Sequence, residues 1–201
     1  MTASTTPSDW MVGVCLPLSE GEYSLHSSNP GSFDLVHQID GGWPVYQRAL
    51  LTTILEALNY YKNLGVLIEP SFTLNKFNRL SHHIGANKVF TLVGHWTEIG
   101  VELADGITPF DTIVDIIPPT YCGVVDLCVC HPTPLAAALR LRRPSIRTIR
   151  FVDAPVSLLL WLRLYKALFA LLSQTSLDVD DAMQAWIGAA IDGAKNLGRR
   201  P

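Results

Sequence analysis

The sequence is short of charge. Asp, Glu, Lys and Arg make up 16% of its 201 residues, and the formal net charge is −3. So small a balance supplies no basic field to hold nucleic acid or an anionic membrane, and neither is expected as a partner. Cysteine is scarce as well: Cys15, Cys122, Cys128 and Cys130. The last three crowd along or beside one apolar stretch, which is no disulfide framework. The opening residues, MTASTTPSDW, are polar and lack the apolar segment of a secretory signal. Free thiols in a reducing cytoplasm are therefore expected. The most apolar run, Val156 to Leu172, contains Arg163 and Lys166. A spanning helix needs about 20 residues, and a mid-span charge costs about 2.5–3.5 kcal/mol. The run reads as a buried core helix. There is no internal repeat, and no Gly-rich strand-to-helix fingerprint for a phosphate compound.

What is present is a core. Hydrophobic residues make up 48% of the chain, too many for a disordered segment. Residues 1–9 read as a flexible tail and 10–201 as a single domain. Trp10–Leu18 is a first strand closed by Pro17. The Ser-, Gly- and Asn-rich stretch from Ser19 to Pro44 is long for a plain loop. A helix follows with Leu50, Leu51, Ile54, Leu55 and Leu58 on one stripe, stopped at Gly65. Gly65–Pro70 is a second strand. Ser71 caps a helix that carries Leu74, Phe77 and Leu80 and ends at Gly85. Lys88–Trp96 is a continuous apolar strand, and Asp105-Gly106 marks the turn of a short hairpin after it. Phe110–Pro119 is a short helix and Gly123–Cys130 a fourth main strand. A helix from Thr133, a strand from Ser145 to Asp153, the long apolar helix and a last helix capped at Asp178 or Asp180 complete the order. Apolar strands that alternate with helices predict an α/β fold: a mainly parallel central sheet, covered on both faces in a three-layer sandwich.

In such sheets ligands bind outside the carboxyl ends of the strands. Two of the predicted strands end on reactive groups. Lys88–Val93 runs into Gly94-His95, and Gly123–Val129 runs into Cys130-His131. If the two are neighbours, their ends lie about 5 Å apart, and a histidine and a thiol converge in the crevice. Cys130, at a strand end, is expected to be more exposed and more reactive than Cys15, Cys122 or Cys128.

At these residues the chain resembles the caspase-like (clan CD) cysteine peptidases, most closely the bacterial CHAT group. That clan has one apolar block ending in His-Gly and a second ending in a small residue and Cys. Here the blocks are VFTLVGHW and VVDLCVCH. Between them, IGVELADGIT is similar to the stretch after the family's histidine, where a hairpin ends in Asp-Gly. After them, TIRFVDAPVSLLLWLRLYKALFALL and LDVDDAMQAW are similar to the tail, where a strand feeds a long helix with a Tyr. The resemblance spans about Val89 to Ala190. It implies a cysteine endopeptidase with a His95/Cys130 dyad and no cofactor or metal. The oxyanion would be held by the backbone N–H groups of Trp96 and Cys130. It further implies a protein or peptide substrate, a separate activating protein partner, and a bacterial effector role in defence or programmed cell death.

Two positions depart from the pattern. Trp96 stands where the family has Gly, and Val129 where it has Ala or Ser. Both make the site bulkier. They motivate the alternative of a catalytically inactive caspase-like module that binds or regulates another protein. Other assignments stay open. Cys128 shares strand parity with Cys130 but lies one pleat back. His131 competes with His95, although adjacent extended residues point to opposite faces. Cys122, Cys128, Cys130 and His131 have the residue types of a metal site, but their spacing along a strand lacks the turn geometry of C-x₂-C pairs. In related peptidases acidic pocket residues select a basic P1 side chain. Asp126 and Asp153 argue for such a pocket, while Arg147 and Arg150 argue for an acidic P1. The run from Arg140 through Arg142, Arg143 and Arg147 to Arg150 reads as a solvated helix end and strand flank, with a docking patch as the sharper reading.

Overall fold

A computed structural model describes residues 5–28, 42–86, 88–151, 158–178 and 180–185 of the chain. The first half holds β1 (Trp10–Val14), α1 (Glu20–Ser28), α2 (Gly42–Tyr46), α3 (Thr52–Asn63), β2 (Leu67–Glu69), α4 (Leu74–Ala86) and β3 (Val89–Val93). A π-helical turn, Gln47–Leu51, joins α2 to α3. The second half holds β4 (His95–Trp96), β5 (Gly100–Leu103), β6 (Gly106–Pro109), α5 (Phe110–Ile116), β7 (Val124–Cys128), α6 (Thr133–Arg142), β8 (Thr148–Phe151) and α7 (Leu158–Gln174).

The central sheet has five strands in the order β2-β1-β3-β7-β8, every pair parallel. Successive side chains alternate between its faces. Trp10, Val12, Val89, Val93 and Val124 pack toward α3 and α7. Met11, Phe90, Leu92, Val125 and Leu127 pack toward α4, α5 and α6. Both faces are covered, which is why the strands carry no polar alternation. The result is the three-layer α/β sandwich that the element order implied. α7 buries Leu168, Phe169 and Leu172 and leaves Arg163 and Lys166 exposed. No helix among the described residues is long and apolar enough to cross a membrane.

Several boundaries differ from the sequence expectation. Residues 5–9 do not hang free as a tail. The Thr5 N–H donates to the Leu177 carbonyl at 3.1 Å, and Pro7 opens a 3-10 turn that Asp9 closes onto the Thr6 N–H at 2.8 Å. The Ser-rich stretch contains a helix, α1. Its opening is fixed by Ser19 Oγ, which accepts from the Glu22 N–H at 3.3 Å. Thr73, not Ser71, caps α4: its Oγ1 accepts from the Lys76 N–H at 3.1 Å. Ser71 sits at φ 48, outside the helix. The continuous strand Lys88–Trp96 is two strands. Gly94 breaks it, and His95–Trp96 joins a separate three-stranded antiparallel sheet, β4-β5-β6. The last helix begins as expected: Asp178 Oδ1 accepts from the Asp180 and Asp181 N–H groups at 2.8 and 3.0 Å.

Candidate active site

β3 and β7 are neighbours. Their ladder runs in register from Val89↔Val124 to Val93↔Cys128, and the Gly94 N–H donates onward to the Cys128 carbonyl at 3.4 Å. His95 and Cys130 each lie two residues beyond the last pair of this ladder, Val93↔Cys128, whose strands are about 4.8 Å apart. The residues after them touch: the Trp96 and His131 rings meet edge to face, centroids 5.5 Å apart. His131 holds a left-handed backbone, φ 46, unusual for a residue with a Cβ. That turn swings the chain from β7 into α6, with Pro132 between. Cys130 is partly exposed and His95 is buried.

Gly94 stands in a tight spot where β3 hands over to the hairpin. A Cβ there would lie 3.1 Å from the Cys15 Cβ and 3.3 Å from the Glu102 carbonyl oxygen. The hairpin itself is pinned by Thr97. Its N–H and hydroxyl both donate to the Gly100 carbonyl at 2.9 Å, and its Oγ1 accepts from the Gly100 N–H at 3.0 Å. Since Thr97 and Gly100 form a hydrogen-bonded pair, the next pair, Trp96↔Val101, is the non-hydrogen-bonded kind. The Trp96 N–H therefore points away from β5. The indole is half-buried, and its Nε1 has no hydrogen-bond acceptor among the described residues.

Cys128 occupies a different environment. Its thiol donates to Tyr165 Oη at 3.2 Å, Tyr165 donates to Asp126 Oδ2, and Arg150 Nη2 donates to the same oxygen at 2.9 Å. The Arg150 guanidinium also lies 5.4 Å from the Trp10 ring centroid. Burial, reinforced by Asp126, pushes the Cys128 thiol well above its ordinary range, which removes thiolate. Cys15 is likewise raised, first by burial and then by Asp105 and Glu102. Cys122 is exposed, contrary to the expectation that it would be shielded, because it lies before β7 begins. All four cysteines are free thiols. The Cys122, Cys128, Cys130 and His131 set is split by these placements, and no described His, Cys, Asp and Glu groups gather as a metal site.

Asp126, a candidate for a specificity pocket, faces inward with partners of its own. It lies mid-strand beneath α7, 2% exposed, with its charge met by Arg150 and Tyr165. Asp126 and Arg150, which argue for opposite P1 preferences, pair with each other at 2.9 Å. Asp153 lies outside the described residues. The arginine run is tied down locally. Arg142 pairs with Asp111 at 2.8 Å and with Asp115, and Arg143 Nε donates to the Ile117 carbonyl at 2.7 Å. Arg147 pairs with Asp180 at 3.3 Å, and Arg140 lies 5.6 Å over the Phe151 ring.

The sequence reading missed a buried pair beside His95. Glu102 stands directly opposite His95 on the β4–β5 ladder. Its Oε1 lies 3.3 Å from His26 Nδ1, and both side chains are 1% exposed. The contact is close enough for an ion pair but not aligned as a hydrogen bond. The available signal was the glutamate inside the alternating run Val101-Glu102-Leu103; nothing in the Ser-rich stretch marked His26. Compared by sequence with known protein families and with curated proteins, the chain matches none.

Proposed function

We propose that the chain is a cysteine endopeptidase of the caspase-like type, with Cys130 as nucleophile and His95 as general acid. The observation that carries this reading is the parallel pairing of β3 with β7 in the Val93–Cys128 register. It supports a dyad because His95 and Cys130 each follow the last paired residue of adjacent strands by two places, at the end of the sheet where α/β folds bind ligands. The Cys130 thiolate attacks a peptide carbonyl carbon, and the oxyanion is held by the N–H groups of Trp96 and Cys130. The outward aim of the Trp96 N–H supports that role. As the C–N bond breaks, His95 gives its proton to the leaving amine, and water then hydrolyses the acyl-enzyme. Burial of Cys15 and Cys128 favours Cys130 over either as nucleophile. In this reading the substrate is a protein or peptide, the compartment is the reducing cytoplasm, and a separate protein partner activates the chain as a bacterial effector.

The second reading is an inactive module that binds or regulates another protein. The packing of Trp96 against His131, beside Cys130, favours it, since an indole there narrows the crevice. One experiment separates the two. A peptide library carrying all residue types at P1 is offered to the chain, to Cys130→Ala and to His95→Ala. Cleavage by the unaltered chain that both substitutions abolish supports the peptidase. Cleavage that survives Cys130→Ala rejects it.

A further inference from the structure

Among the described residues lie two buried charge clusters, and one of them includes the ladder partner of His95. Glu102 and His26 are each 1% exposed, a costly place for ionisable groups unless they are paired. The register of β4 against β5 is not free to slip. Thr97 ties the turn, and a Cβ on Gly100 would lie 2.1 Å from the Thr108 carbonyl oxygen, so β5 is pressed against β6 by a glycine-only contact. His95↔Glu102 is thus a fixed cross-strand pair, two places from Thr97↔Gly100 and of the same hydrogen-bonded kind. Side chains so paired share a face, with Cβ atoms about 4.5–5.5 Å apart. Trp96, the next residue along β4, packs its ring on His131.

We propose that Glu102 is a positioning residue for His95: its buried carboxylate, flanked by His26 from α1, orients the imidazole across the ladder and stabilises the imidazolium that protonates the leaving amine. The inference rests on the peptidase reading for its catalytic meaning. The proton balance is simple. His95 carries the proton and loses it to the amine as the C–N bond breaks, and Glu102 stays ionised throughout. Other ionisable groups face this corner. Cys15, at the end of β1, is a neutral buried thiol. Asp105, in the β5–β6 turn, is engaged in accepting from the Leu74 N–H at 3.0 and 3.1 Å. His131, beyond β7, packs on the Trp96 ring. Glu102 is the one of these acids that stands across a ladder from His95.

The test reads His95 itself. In full-length Cys130→Ala protein, the His95 imidazole is titrated by NMR with and without Glu102→Gln. A carboxylate this near favours the charged imidazole. Glu102→Gln should lower the His95 midpoint by about one pH unit, and Glu102→Asp should restore part of the loss. The alkaline limb of the cleavage profile should move to lower pH by the same amount. A midpoint that a folded Glu102→Asp leaves unmoved overturns the inference even if Glu102→Gln does not fold. So does a midpoint that a folded Glu102→Gln leaves unmoved. The two readings fail separately. Cys130-dependent cleavage with a His95 indifferent to Glu102 rejects the positioning role alone. A Glu102-dependent midpoint in a chain whose cleavage survives Cys130→Ala rejects the peptidase and keeps the pair.

Discussion

Four thiols in one chain meet four environments, and those environments set their chemistry. Cys15 and Cys128 are buried, and burial drives both thiols up, away from the reactive thiolate. Cys122 is exposed and Cys130 partly so. Iodoacetamide at neutral pH should therefore modify Cys122 and Cys130 and spare Cys15 and Cys128, as read by peptide mapping; early modification of Cys128 would contradict the buried placement. Asp126 offers a second residue-scale test. It takes hydrogen bonds from Arg150 and Tyr165 beneath α7. Asp126→Asn leaves a largely buried guanidinium without its counter-charge, at a cost of about 3–5 kcal/mol. Urea unfolding should show that loss, whereas a change within about 0.5 kcal/mol is what a solvent-facing pocket residue would give.

At the scale of elements, the β4-β5-β6 hairpin unit decides where His95 sits. Gly100→Ala forces a Cβ into the Thr108 carbonyl, so β5 must shift. We expect a stability loss of at least about 1–3 kcal/mol and a collapse of any cleavage activity. Full activity in Gly100→Ala would show that the ladder does not position the site. The same unit marks how far the sequence could be read. The turn at Asp105-Gly106 was legible because a tight antiparallel turn favours a residue that accepts φ 131, and Gly106 is there. The break at Gly94 was not. Val-Phe-Thr-Leu-Val-Gly-His-Trp is mostly apolar with no alternation, and periodicity alone does not separate one buried strand from two that belong to different sheets. The pairing of β3 with β7 was legible only as a consequence of alternating strands and helices. Glu102 and His26 lie far apart in sequence, one in a hairpin and one in a polar stretch. Their meeting is a product of tertiary structure.

At the scale of the whole molecule, the sandwich holds several acids in their neutral form. Cys15, Cys128 and Tyr165 are all raised well above their usual values, and Tyr46, Tyr61 and Tyr121 are raised too, chiefly by burial. Above about pH 8.5 the unfolded chain ionises its thiols while the native chain keeps those protons. The native state then binds more protons, so stability falls as pH rises, by about 1.4 kcal/mol per pH unit for each such group. Tyrosines add to the slope above about pH 10. Urea titrations between pH 8 and 10 should show this decline, with one proton less in the slope for Cys15→Ala; a flat profile would contradict the burial of these thiols. The central claim, that Cys130 is activated by His95 at the end of β3, is tested most directly by covalent capture. The folded chain is treated with acyloxymethyl ketones bearing Asp, Arg or Leu at P1, and adducts are located by peptide mapping. The account predicts a single adduct on Cys130 that His95→Ala abolishes. Labelling of the exposed Cys122 in preference to Cys130, or a Cys130 adduct indifferent to His95→Ala, would contradict it.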